Sequence, residues 1–234
     1  ILNHFDDQGG SGDDSLLAAS HTIDIQGNMV LSTDQAKFGA SSLYSDGDAS
    51  NKFIYEAIPQ FNLTDRNFTV ELWMYPTNLN HTSYSTVFST FQSGYAPIIL
   101  YGRPDGTLLL YVSYGSTWNH TIHSAPVIVL DQWQHIAIVR NGTEIKVYHQ
   151  GTAIITAEVG TNSLMNPSVV MLGNSDSDSS SPYAFAGYLD EFRYTVGKAR
   201  YTSDFTPSET AFSGEANFIQ DVVVDIDSAI NTNQ

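Results

Sequence analysis

Apolar and polar positions alternate along most of the chain between about residues 42 and 195. In FTVELWMY, Phe68, Val70, Leu72 and Met74 fall on one side while Thr69, Glu71, Trp73 and Tyr75 fall on the other, the period of two that a pleated strand imposes. Between Gln134 and Arg140 both sets are mostly apolar, with Ile136 and Ile138 opposed to His135, Ala137 and Val139, which predicts a strand covered on both faces. Trp73 and Trp133 are expected in the core, and His135 as a hydrogen-bonded structural residue. Further strands are predicted at PIILYG, Thr107 to Tyr114, SVVMLGN and AGYLDEFRYT.

The connections carry turn chemistry. Pro104-Asp105-Gly106, Asn141-Gly142 and Gln150-Gly151 each sit between two strand patterns and read as hairpin turns. Three stretches rich in Asp, Ser, Gly or Asn read as loops: DDQGGSGDDS, YSDGDASN and NSDSDSSSP. No apolar pattern of period 3.6 persists for three turns, so strands follow one another without crossover helices. The predicted class is all-β, an antiparallel two-sheet sandwich. After Pro207 the pattern loosens, with one strand-like run from Asp221 to Ile226.

Composition narrows the partners. The chain has 9 Lys and Arg against 25 Asp and Glu, a formal charge of −16. Nine scattered cations cannot readily track a phosphate backbone or an anionic bilayer, so nucleic acid is excluded as a partner. No apolar run approaches the roughly 20 residues of a spanning helix, and membrane insertion is not expected. Cysteine is absent, which removes disulfides and thiolate metal sites. The first residues, ILNHFDDQGG, lack Met and a basic start, and the chain reads as a mature product or a piece of something longer.

Candidate chemistry falls into acids and aromatics. A retaining glycosidase needs two carboxyl groups about 5–5.5 Å apart. Glu71 and Glu191 stand alone in their strands, and strict alternation sends Asp190 and Glu191 to opposite faces. No nucleophile elbow, H-E-x-x-H pair or phosphate loop is present, so no catalytic residue is assigned and the protein is read as not an enzyme. Asn174, Asp176 and Asp178 alternate as the first ligands of a calcium loop do, but the sixth-position glycine and the acidic twelfth ligand are missing; a solvated loop is favoured. Tyr84, Tyr95, Trp118 and Tyr183 lie in or beside expected loops, with Asp178 nearby, and are the ligand-binding candidates.

Five blocks in order, ILNHFDD, KFGASSLYSDGDASNKF, NFTVELWMYP, QWQHIAIVRNGTEIKVYHQG and YLDEFRYTVGKARYTSDFTPSETAF, carry a resemblance that spans about residues 1–212. Over this length the chain resembles the laminin-G-like, concanavalin A-like lectin/glucanase domains found in phage virion proteins and bacterial surface proteins. Residues 213–234 are left as a C-terminal extension or connector. The resemblance implies a jelly roll of two curved antiparallel sheets. It also implies a structural Ca²⁺ held by Asp6 (or Asp7), Asp46 and Asp190, with Asp48 a further candidate; the alternative for Asp190 is that it accepts backbone N–H bonds from a neighbouring turn. The implied role is a non-catalytic adhesion or display module on a virion surface, in a tail fibre or capsid decoration, that binds host-surface glycan. The alternatives are a structural cement domain that contacts other virion proteins, possible homo-oligomerisation included, and a segment of a bacterial adhesin at the cell surface.

Overall fold

The computed structural model describes residues 2–3, 23–56, 59–79, 84–91, 95–175 and 183–213. Its strands are β1 (Leu2–Asn3), β2 (Ile23–Gln26), β3 (Val30–Ser32), β4 (Ser42–Asp46), β5 (Lys52–Glu56), β6 (Phe68–Asn78), β7 (Ser85–Phe91), β8 (Ile98–Gly102), β9 (Thr107–Val112), β10 (His120–Pro126), β11 (Gln134–Asn141), β12 (Glu144–His149), β13 (Thr152–Glu158), β14 (Val169–Leu172) and β15 (Ala186–Val196). They pair antiparallel in two sheets. The first runs β13-β12-β11-β6-β15-β4-β3, with the short β1 added to β15; the second runs β10-β9-β8-β7-β14-β5-β2. This is the all-β jelly-roll sandwich the alternation predicted, and the strand-like run at 221–226 lies outside the described residues.

The hairpins follow from local backbone chemistry. Gln150 (φ 50°) and Gly151 (φ 80°) both take left-handed conformations between β12 and β13, the turn whose twist matches that of the strands it joins. The β11–β12 hairpin forms one residue later than its Asn-Gly signal suggested: Asn141 already pairs with Glu144, and Gly142 (φ 62°) and Thr143 make the turn. Placing glycine first of the two central residues suits the mirror-image type II turn.

The two sheets meet through the alternate residues expected to face inward. Phe68, Val70, Leu72 and Met74 of β6 and Leu189, Phe192 and Tyr194 of β15 pack with Phe53, Phe88, Leu100 and Leu110 of the second sheet. Aromatic rings bridge the layers, Phe192 lying 5.6 Å from Tyr55 and 6.1 Å from Phe88 between centroids. Such pairs add about 0.5–1.5 kcal/mol beyond burial of their area.

The outer face of the first sheet is covered by the chain itself. After β15, residues 197–213 run back as an irregular strap across β6, β11 and β12. Ala199, Tyr201 and Phe205 pack on Ala137, Val139 and Tyr148, which is why β11 is apolar on both sides. Phe212 packs on Trp73, with Phe38 and Trp133 against them. Trp73 is therefore buried as expected, but beneath the strap and not between the sheets, and Trp133 is only half-buried. Backbone and side chain both tie the strap down: Thr69 Oγ1 donates to the Lys198 carbonyl at 3.1 Å and accepts from the Arg200 amide at 2.9 Å, and the Phe205 amide donates to the Gly151 carbonyl at 2.9 Å.

One expectation fails at the centre of this face. Asp190 pairs with Trp73, and Arg193 with Glu71, so Glu191 and Phe192 together oppose one residue of β6. That is a β-bulge, and its first residue, Glu191, is left-handed (φ 52°). The extra residue cancels the alternation. Asp190 and Glu191 do not point to opposite faces: both carboxylates reach the strap side, where Asp190 accepts the Lys37 and Phe38 amides and Glu191 accepts that of Phe212.

Candidate functional site

The outward face of the second sheet carries a different surface. In β8 and β9, Ile98, Leu100, Leu108, Leu110 and Val112 point into the sandwich, so Ile99, Tyr101, Leu109 and Tyr111 point away from it. Tyr101 pairs with Leu109 and Ile99 with Tyr111, which makes the two tyrosines diagonal neighbours, their rings 5.8 Å apart and nearly perpendicular. The segment leading into β10 brings Trp118 to 4.9 Å from Tyr111, and Tyr95 stands 5.3 Å beyond Trp118. On the other side Tyr84 lies 4.8 Å from Tyr101, and Tyr183 lies 5.2 Å from Tyr84. The order is Tyr95, Trp118, Tyr111, Tyr101, Tyr84, Tyr183: one continuous aromatic surface.

All four aromatics singled out from the sequence thus converge, although they are spread over about one hundred residues. Tyr101 and Tyr111 escaped notice there. Their signal was the outward register of β8 and β9, where large apolar residues on both faces hide which set looks into the core. Tyr101 is the buried floor, at 7% exposure, while the other five rings are half-buried and present part of their surface. Asp178 lies outside the described residues.

Two phenols of this face, Tyr101 and Tyr111, are held in their protonated form. Burial pushes Tyr101 well above the ordinary range, and its hydroxyl lies 3.1 Å from Ser175 Oγ. Burial, then the hydrogen bond and charge of neighbouring Tyr84, push Tyr111 up to about 12, with the Arg103 guanidinium acting in the opposite direction. Thr86 and Ser89, in register with Tyr101 and Ile99, lie beneath the rings as buried hydroxyls without a hydrogen-bond partner among the described residues. The half-exposed rings, with the hydroxyls they carry, suit a polyhydroxylated ligand that offers C–H faces for stacking and hydroxyls for hydrogen bonding.

The acids do other work. Glu71 is fully buried under the strap: Arg193 grips Oε1 through Nε (2.8 Å) and Nη2 (2.7 Å), while His135 Nε2 (3.2 Å) and the Tyr201 hydroxyl (2.7 Å) hold Oε2. Every oxygen of this carboxylate is engaged in structure, and His135 is a structural partner as expected. Asp46 pairs with Ala186 and Leu43 with Leu189, which places Asp190 about four positions along the ladder from Asp46, roughly 13 Å at the strand rise of about 3.3 Å per residue. Asp46 accepts from the Asp48 amide (3.0 Å), Asn51 Nδ2 (2.6 Å) and Asn28 Nδ2 (3.1 Å). Asp190 accepts three backbone amides, the alternative weighed for it. Asp46 and Asp190 therefore do not converge on one ion. Among the described residues no group of three His, Asp or Glu side chains is placed to hold a metal, and Asp6 lies outside them.

A sequence profile of the concanavalin A-like lectin/glucanases superfamily matches residues 50–195. No curated protein matches the chain in sequence. Among solved structures, Domain 4 of AbnA, a GH43 extracellular arabinanase from Geobacillus stearothermophilus, in complex with arabinotriose, superposes with a TM-score of 0.60 at 20% identity, covering 85% of this chain and 92% of that one. The ligand binding domain of botulinum neurotoxin serotype D in complex with N-acetylneuraminic acid gives 0.64 at 11% identity over 86% of this chain and 48% of that one. The binding domain of Paraclostridial Mosquitocidal Protein 1 gives 0.59 at 14%, over 79% and 46%. The chain spans about half the length of these two toxin domains. At such identities the likeness is one of fold.

Proposed function

We propose that this chain, which belongs to the concanavalin A-like lectin/glucanases superfamily, is a non-catalytic glycan-binding module whose binding surface is the aromatic face of the second sheet. The observation that carries the reading is the meeting of six aromatic rings from five chain segments on one outward face. Rings of the core arise wherever two sheets pack, whereas these rings sit on the side of the second sheet that faces away from the first. Support comes from the arabinotriose complex of a domain that this chain matches over most of both lengths. The engagement of Glu71, Asp190 and Glu191 in structural hydrogen bonds supports the non-catalytic part, since a carboxylate so held is a poor general acid or nucleophile. The setting we favour is display on a virion surface, with host-surface glycan as the partner; a bacterial cell surface would use the same face.

Glycan-array screening followed by calorimetric titration tests this. Trp118→Ala and Tyr111→Ala each remove one stacking partner worth about 1 kcal/mol, so each weakens binding by about fivefold to tenfold. Their far-UV and near-UV spectra should otherwise remain those of a folded sandwich, because neither ring belongs to the inter-sheet core. Unchanged affinity in the double variant would remove the assignment of this face.

A further inference from the structure

We infer that the aromatic face selects glycans carrying an anionic substituent, a carboxylate or a sulfate, and that Arg103 is the residue that reads it. The inference rests on the glycan reading above and deepens it. Arg103 follows Tyr101 by two residues, just past the end of β8, and so projects on the same side of the sheet. Its guanidinium reaches across β9 to β10, where Nη1 lies 3.0 Å from His123 Nδ1; His123 pairs with Leu109, which in turn pairs with Tyr101. Its charge is felt at the Tyr111 phenol. The cation therefore stands at the border of the aromatic surface, over the same three strands.

What sets Arg103 apart is how little of it is used. The other arginines under comparison are committed: Arg140 donates to three backbone carbonyls, and Arg193 grips Glu71. Among the described residues Arg103 makes one side-chain hydrogen bond, to a ring nitrogen of His123, and its Nε is shielded from solvent with no partner. Asp105 is the nearest carboxylate, at 4.0 Å from Nη1, beyond hydrogen-bonding distance. It is held away by its own turn, accepting the Thr107 amide at 3.1 Å and the Thr107 hydroxyl at 2.6 Å through Oδ1. A guanidinium offers five N–H donors in a planar fork suited to two oxygens at once; with Nη1 on His123 and Nε enclosed, Nη2, which makes no hydrogen bond among the described residues, is the part of Arg103 left to meet a ligand. In a chain of charge −16 the general field repels anions, so an anionic preference calls for a local cation, and Arg103 is the cation that stands beside these rings among the described residues.

The test is calorimetric titration of one oligosaccharide backbone in neutral, carboxylated and sulfated forms, with the wild-type chain, Arg103→Gln, Arg103→Lys and Trp118→Ala. The expected result is that the wild type binds an anionic form about tenfold tighter than the neutral one, the scale of a charge-assisted hydrogen-bonded pair. Arg103→Gln should bring that form down to or below the neutral one while leaving neutral affinity unchanged, Arg103→Lys should restore part of the gain, and Trp118→Ala should weaken all forms alike. Which anionic form gains assigns the group. Equal wild-type affinity for neutral and anionic forms overturns the inference and leaves the glycan reading standing. Loss of neutral and anionic binding together in Arg103→Gln also overturns it, since Arg103 would then only brace β8 against β10. Binding of none of the forms, nor of any glycan on an array, sinks both.

Discussion

Glu71 shows how a single buried charge is kept. Removing its carboxylate from water would by itself raise its proton affinity, yet the hydrogen bond from His135 and the positive charge of Arg193 outweigh that and hold it below the usual carboxylate range. Pairs of this kind contribute little net stability when intact, because desolvation offsets attraction, but breaking one side leaves the other charge stranded. Glu71→Gln should therefore destabilise the fold by about 3 kcal/mol, read as a fall in urea midpoint. The sequence displayed Glu71 plainly as an acid on the side of β6 opposite Phe68, Val70, Leu72 and Met74, and the structure keeps that division. What it could not display was that the outward side is roofed, since Arg193 and Tyr201 reach Glu71 from 122 and 130 residues away.

The bulge in β15 and the strap that follows it are the elements on which reading by alternation broke down. Turn residues located three hairpins to within a residue, and period-two reasoning separated the two faces of β6 and β11. It failed at Asp190-Glu191 because a non-glycine residue at φ 52° leaves no compositional mark. The strap likewise lacks any period: Tyr201, Phe205 and Phe212 are spaced to meet hollows on the sheet and not to repeat. Gly151 is where strap and hairpin touch. A β-carbon there would collide with the Phe205 carbonyl, and its φ of 80° already disfavours any side chain. Gly151→Ala should cost more than about 1 kcal/mol, measured as a lowered Tm, and should loosen the strap first, detected as faster proteolysis within 197–213.

For the whole molecule, two of the acids on the strap side, Asp190 and Glu71, pull its stability in opposite directions with pH. Burial pushes Asp190 up to about 7 despite the Lys37 and Phe38 amides it accepts. Its folded pKa lies above the unfolded value, so its contribution is fully present below about 4 and is lost as pH rises through about 7. Glu71 is depressed, so its contribution is present above its unfolded value of about 4.5 and is lost as pH falls further. Thermal melts should give greatest stability near pH 5, declining toward pH 8, and Asp190→Asn should flatten that decline while leaving the acid limb intact. The sandwich and its family were legible at this scale because alternation and the order of five blocks are global patterns. The proposed binding face was half legible: loop aromatics stand out as exposed, whereas Tyr101, Tyr111 and Arg103 show their direction only once the sheet is built.

Ser213, the last described residue, sets its carbonyl against Arg193 on the roofed side, two layers of sheet away from the rings. A pull applied at Ser213 would enter the molecule from the back. It would be borne first by the Arg193–Glu71 clasp and the Gly151 contact, before it reached the second sheet.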